Sequence, residues 1–326
     1  MTENVTLNHG SGGKEMQKFI DDIKKRFPES VNWKNTDNDA SVLPLGNDNN
    51  LVFTTDSFTV SPLFFPGGNI GDLAFSGTVN DLLMMGAQVS GISLGLIIEE
   101  GFSRKKLDKI IKTIGTLSEE TNIPVVTGDT KVVEKGTLQG MVINTAGVGF
   151  VINKDLLNKK INEGDKVILS GGLGEHAVAL LSKRFDYETD LTTDSKPLVK
   201  EISCVKSNIK QAKDPTRGGM AAVLNELSEY NNVGMLIHEK DLPIKKEVKA
   251  VTEMLGLDVY QLASEGIFVC VCSQENASTV LKELKKFNNE AAIIGDITKS
   301  KKVVLQTELG QRILHTPQGR LIPRIC

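Results

Sequence analysis

The chain has 326 residues, 40% of them hydrophobic and 24% charged, with a formal net charge of −3 and a pI near 5.9. That is the balance of a folded protein long enough for two cores. It excludes the basic footprint of nucleic-acid binding, and no apolar run reaches membrane-spanning length, so neither nucleic acid nor membrane is expected as a partner.

"HGSGGKEMQKFIDDIKKRF" reads as a glycine-rich turn entering a helix, with Met16, Phe19, Ile20, Ile23 and Phe27 at helical spacing. Residues 28–50 are polar and loop-like. "LVFTTDSF" reads as a buried strand ending at Asp56, and "GDLAFSGTVNDLLMMGA" as a helix. "SGISLGLIIEE" is a strand, "RKKLDKIIKTIGTLSEET" an amphipathic helix, and "IPVVTGDTKVV" and "GMVINTAGVGFVI" are strands. A polar boundary at 151–165 precedes a second α/β unit. In it "KVILSGG", "VGMLIHE", "GIFVCVCS", "AAIIGDI" and "VVLQT" are strands; "GEHAVALLSKRF", "LVKEISCVKSNIK", "RGGMAAVLNELSEY", "PIKKEVKAVTEMLGL" and "ASTVLKELKKF" are helices; and "DYETDLTTDSKP" is a loop. From His315 the chain reads as a flexible tail whose 12 residues reach at most roughly 40 Å. The expected organisation is a glycine-rich loop and helix over 1–36, a first domain over 37–150, a second over 151–313 and a tail over 314–326. The N-terminus lacks a secretory pattern, which predicts a cytoplasmic protein with reduced thiols.

Asp39, Asp56, Asp81, Asp129 and Asp214 sit in polar loops, at strand ends or among small residues. A carboxylate so placed needs a partner, either a helix N-terminus or lysine nearby or a Mg²⁺ shared with phosphates. Three glycine loops stand at helix starts, where free N–H groups hold anions or merely turn the chain. They are "HGSGGK" with Gly10, Gly12 and Gly13, "SGGLGEH", and "DPTRGG" with Arg217 and Gly218. Lys131 follows "VTGDT", and Glu265 opens an apolar strand in "LASEGIFV". The two are either proton handlers or a surface ion pair. Of the four cysteines, Cys270 and Cys272 share a strand face and read as core, as does Cys204. Cys326 follows Pro323 and Arg324 and is either a frayed end or a working thiol.

In order, "HGSGG", "TDSF", "PLFFPGGNIGDLA", "GTVNDLLMMGA", "IIEEG", "VTGDTKVV", "INTAGVG", "DPTRGG", "SEG" and "PRIC" together resemble the HypE family, carbamoyl dehydratases of [NiFe]-hydrogenase maturation. That family falls within the aminoimidazole-ribotide-synthase-like ATP enzymes. The resemblance spans the chain. It implies an α/β (α+β) two-domain fold, an N-terminal domain that forms a dimeric sheet or barrel in a homodimer, and ATP with Mg²⁺ at the domain cleft. It also implies a reactive Cys326. A carbamoyltransferase (HypF) loads that thiol as a thiocarbamate, ATP phosphorylates the carbonyl oxygen, loss of phosphate leaves a thiocyanate, and the cyano group passes to iron on the HypC–HypD complex. By the same resemblance Lys131 and Glu265 handle protons. Asp39, Asp56, Asp81, Asp129 and Asp214 surround Mg–ATP, and Asn80, Arg217 and the glycines contact the nucleotide. The usual pair of adjacent acids reads "TDNDAS" here, so Asp37 or Asp48 competes with Asp39. A related selenophosphate synthetase or thiamine-phosphate kinase, or a thiol carrier without catalysis, are the alternatives. The first carries a reactive residue near the N-terminal glycine loop, where this chain has no Cys.

Overall fold

The computed structural model describes residues 4–10 and 13–317. Helix α1 (Gly13–Lys24) leads by a coil into a hairpin of β1 (Ser41–Gly46) and β2 (Asn49–Phe58). Asn47 and Asp48 both take left-handed backbone, the geometry a two-residue hairpin turn demands and these two residue types tolerate. The expected loop over 28–50 therefore holds a strand, disguised by Pro44 and Gly46. Pro44 is tolerated because β1 is an edge strand. A two-residue pair, β3 (Phe64–Phe65) and β4 (Gly68–Asn69), delivers the chain to α2 (Ile70–Met84). Asn69 caps that helix in a capping box with Asp72. Then come β5 (Gln88–Glu99), α3 (Arg104–Thr121), β6 (Val125–Val133) and β7 (Met141–Ile152). The sheet order is β1-β2-β7-β5-β6, antiparallel except for β5 with β6, which α3 joins.

The second half builds a seven-stranded sheet from β8 (Lys166–Leu169), β9 (Gln211–Lys213), β10 (Gly234–His238), β11 (Val269–Cys272), β12 (Ala292–Thr298), β13 (Val303–Thr307) and β14 (Gly310–Ile313), ordered β14-β13-β10-β12-β8-β11-β9. Its helices are α4 (Glu175–Phe185), α5 (Val199–Val205), α6 (Gly219–Asn231), α7 (Lys246–Leu255) and α8 (Gln274–Leu284). Cys270 and Cys272 are buried in β11, as the alternation predicts.

Helix α2 joins the halves. It is buried on nearly every face, which explains why its sequence is apolar all round rather than striped. One side packs on β2, β5 and β7, the other on α5 and β9. A single apolar core runs from Phe75 and Val79 of α2 to Ile202 of α5 and Phe268 before β11. The other face of the first sheet is uncovered: Phe53, Phe150, Ile97 and Ile152 are exposed there, and Trp33 packs edge-on against Phe53. Among the described residues no helix is long and apolar enough to cross a membrane.

The segment read as a loose tail begins packed. Leu314 is buried, its N–H bonded to Val303 O and its carbonyl accepting from Asn225 Nδ2. Pro317 is buried as well.

Candidate functional site: an acidic cavity roofed by two glycine loops

Between the halves lies a cavity of about 280 Å³ whose walls include Asp39, Asp56, Asp81, Asp214, Glu265 and Arg217. Each arrives on a different element. Asp56 sits inside β2 rather than at its end, and it pairs in register with Thr145 of β7, whose hydroxyl bonds to Ala74 O of α2. Asp56 therefore faces α2, where Asp81 meets it. Gly77, one turn before Asp81, also lines the cavity, and a side chain there would strike the Phe58 ring at 2.8 Å. Asp214 follows β9, and Glu265 precedes β11. Of the competing acids, Asp37 lines the same cavity but pairs with Lys24, whereas Asp48 stands in the β1–β2 turn against Asn153.

The acids raise one another's proton affinity. Burial pushes Asp81 well above the usual carboxylate range, and the charges of Asp56, Asp214 and Asp39 push it further. Burial, Asp39, Glu265 and Asp56 do the same to Asp214. Asp39 and Asp56 are raised by burial, against the pull of Lys213 and Arg217 respectively. The carboxyls of Asp56 and Asp81 are close enough to influence each other's charge. Thr54 Oγ1 lies 2.9 Å from both Asp81 Oδ2 and the Asp39 carbonyl oxygen, tying these walls together.

Lys213, which the sequence reading missed, also lines the cavity. Its ammonium is 3.0 Å from Asp39 and 2.8 Å from Glu226. Burial alone would depress it, but these two carboxylates reverse that and hold it charged. The missed signal was "AKD", a lysine beside a candidate ligand at the end of a buried strand. Arg217, more exposed, reaches Asp56 at 3.4 Å.

Asn80 is a brace. Its Nδ2 donates to Lys196 O at 3.1 Å and Glu265 O at 3.3 Å, and its Oδ1 accepts from Leu198 N at 2.9 Å. It thereby fixes α2 to the second half and holds the turn bearing Glu265, which is itself buried.

Two of the glycine loops stand beside this site, next to Met16 and Arg217 of its lining. Gly13 starts α1 with φ +78°, and an added Cβ would lie 2.2 Å from Pro317 O. Gly218, at φ +80°, caps α6, and its added Cβ would lie 3.5 Å from the Pro317 ring. The root of the Cys326 segment thus crosses both loops. Gly10 has open space around it and no steric need for glycine. The third loop, at 170–176, holds no room for an anion: a Cβ at Gly172 would meet Glu175 and Glu290 carboxylates at 2.5 Å. Gly12 and Cys326 lie outside the described residues.

Asp129 and Lys131 do not join the cavity of their own chain. Both are exposed on β6, an edge strand. Asp129 pairs with Gly95, Gly95 with Asn144, and Asn144 with Ser57. Asp129 and Lys131 therefore share the uncovered sheet face, opposite to the face of Asp56. Sequence spacing could not show this, because strand order places β6 at the far edge.

The donor set fits a hard cation: every wall ligand is a carboxylate oxygen, and their mutual repulsion is what a divalent charge would relieve. Among the described residues no three His, Cys, Asp or Glu side chains stand close enough together to hold a metal ion by themselves.

Residues 37–151 match the AIR synthase related protein N-terminal domain, and residues 162–308 match the AIR synthase related protein C-terminal domain. Carbamoyl dehydratase HypE of Rhizobium leguminosarum bv. viciae is 41% identical, covering 99% of this chain and 95% of the relative. The Escherichia coli K12 protein of the same name is 36% identical, covering 99% of each. The chain belongs to the HypE family of AIR-synthase-related proteins. Two solved structures carry the likeness into three dimensions. HypE in a HypE–HypF complex has a TM-score of 0.84 at 38% identity over 92% of this chain and 99% of that one. HypE in complex with ATP has 0.82 at 34% identity over 99% and 100%. A ThiL structure complexed with AMPPCP and TMP, at 17% identity and a TM-score of 0.71 over 96% and 99%, shares the fold. The expected two-domain α/β architecture is thereby established.

Proposed function

We propose that the chain is an ATP-dependent carbamoyl dehydratase acting on a thiocarbamate carried by Cys326. The observation that carries this reading is the course of the chain at Pro317, which lies across Gly13 and Gly218, while Gly13 and Thr316 line a second cavity that shares Met16, Asp37, Lys213 and Arg217 with the acidic one. The segment leading to the thiol starts at the site where the family's nucleotide chemistry is expected.

The reaction converts S–CO–NH₂ into S–C≡N. The carbonyl oxygen, a poor leaving group, departs in inorganic phosphate after taking the terminal phosphoryl group of ATP, and both protons leave the nitrogen. Mg²⁺, when bound, would neutralise phosphate charge; Asp39, Asp56, Asp81 and Asp214 are the residues that would hold it. Arg217 and Lys213 supply positive charge on the same wall, and the N–H groups at the start of α1 and α6 face an incoming anion. Glu265 beside Asp214 is the proton acceptor for the amide. A HypF-type carbamoyltransferase loads the thiol, and a HypC–HypD-type scaffold receives the cyano group.

The working unit is a homodimer joined through the uncovered face of the first sheet. Exposed Phe53, Phe150, Ile97 and Ile152 on that face, next to an unpaired edge at β6, form a surface that folded proteins cover. That contact would bring Asp129 and Lys131 against a second copy, the route by which these residues serve a site they do not reach in their own chain.

Mass spectrometry of the Cys326 peptide tests the function. Carbamoylated protein should lose the mass of one water only with ATP and Mg²⁺ present, and Cys326→Ala should abolish the change. The same loss without ATP would refute the reading.

A further inference from the structure

Among the described residues four buried side-chain atoms have no hydrogen-bond partner: Ser76 Oγ, His176 Nε2, Asp194 Oδ2 and Ser195 Oγ. All belong to one seam behind the acidic cavity. Ser76 lies one turn before Asn80 on the same face of α2, and Asn80 grips Lys196 and Leu198. His176 Nδ1 is 2.7 Å from Thr193 Oγ1. The segment 193–198 thus runs between α2, α4 and the turn that carries Glu265.

Within the seam Asp194 is unusual. Its Oδ1 accepts the N–H of Glu265 at 3.1 Å. Its Oδ2 is shut from solvent with no partner. Burial pushes this carboxyl up to about 7. A carboxyl kept from water without an ion pair is costly, and the hydrogen bond it makes reaches the amide of the proposed base itself. The contact is close from the other side too: a Cβ at Gly266 would fall 1.6 Å from Asp194 O. Asn80 holds the Glu265 carbonyl, and Ser264 N bonds to Pro215 O at 3.0 Å. Asp194 therefore closes the last open side of a three-residue clamp.

We infer that Asp194 is the positioning residue for Glu265, fixing the turn 264–266 so that the Glu265 carboxylate stays beside Asp214 in the cavity. The inference rests on the proposed role of Glu265 as proton acceptor. It is tested with full-length, carbamoylated protein by three variants, each read by single-turnover dehydration rate, ATP affinity and amide exchange at residues 264–267. Asp194→Ala should slow dehydration about 10²-fold, the scale of a small misplacement of a reacting group, leave ATP affinity within about two-fold of wild type, and speed exchange at 264–267 alone. Asp194→Asn keeps an acceptor oxygen in place and should restore the rate to within about five-fold. Asp194→Glu keeps the charge but moves the oxygens, and should stay slow even if the alanine variant does not fold. Wild-type rates in Asp194→Ala, or a fast Asp194→Glu beside a slow Asp194→Asn, would overturn the inference. If Glu265→Gln dehydrates normally, the role of Glu265 itself falls, an outcome separable from a normal Asp194→Ala beside a dead Glu265→Gln, which sinks the positioning role alone.

Discussion

At the scale of single residues, the proposed mechanism can be probed at Gly13 and Glu265. Gly13 must adopt a left-handed backbone under Pro317. Gly13→Ala should cost about 1–2 kcal/mol from the backbone alone and displace the root of the Cys326 segment. Dehydration should fall more than ATP affinity, and equal losses in both would argue that the loop serves the nucleotide only. Glu265→Gln should bind ATP normally while dehydration drops about 10²–10⁴-fold, the usual worth of a positioned base; rapid-quench analysis of the loaded peptide measures it. In the sequence the acids stood out only as a set, and of the five Asp39, Asp56, Asp81 and Asp214 line the cavity while Asp129 does not. Asp194 did not stand out, since "DLTTDSKP" carries only the composition of a solvated loop, and nothing local says that it threads between two halves of the protein.

At the scale of elements, α2 and β6 divide the labour. α2 is buried all round and carries Asn80 toward one half and Asp81 toward the other. Its lack of an apolar stripe was visible in the sequence, and burial between two layers is its physical meaning. The β1–β2 hairpin was hidden, because a proline in a strand argues against one until the strand is known to lie at an edge. β6 was legible as a strand but not in its place at the sheet edge, which only strand order decides. Phe53→Glu with Phe150→Glu, adjacent on the uncovered face by register, should halve the mass measured by sedimentation at micromolar concentration while leaving the fold intact by circular dichroism. A dimer that survives both changes would place the interface elsewhere.

At the scale of the whole molecule, the acid cluster ties stability to pH and to ligand. Asp39, Asp56, Asp81, Asp194 and Asp214 all hold their protons above the ordinary value of 3.8 in the folded state. Folded protein therefore binds more protons than unfolded protein between 3.8 and these raised values, about 7 for Asp194, and stability falls as pH rises through that window. His176, lowered to about 3 by burial, has the opposite sign: its contribution rises with pH until about 6.5 and is flat above. Above pH 6.5 the acids act without that offset. The melting temperature of nucleotide-free protein should fall between pH 6.5 and 8, and ATP with Mg²⁺ should flatten the slope. Ligand at about 100 times its Kd adds roughly 2.7 kcal/mol. A melting temperature that climbs across this interval would contradict the charge balance described for the cavity.

The anchoring of Pro317 between Gly13 and Gly218 also sets a map for every other molecule in the pathway. Cys326 is the ninth residue after Pro317, a contour of at most about 30 Å. Whatever loads the thiol and whatever unloads it must present its reactive group inside a shell of that radius centred on one fixed point. On the proposed function, the molecule that loads the thiol and the one that unloads it would therefore both have to approach the same face of this chain.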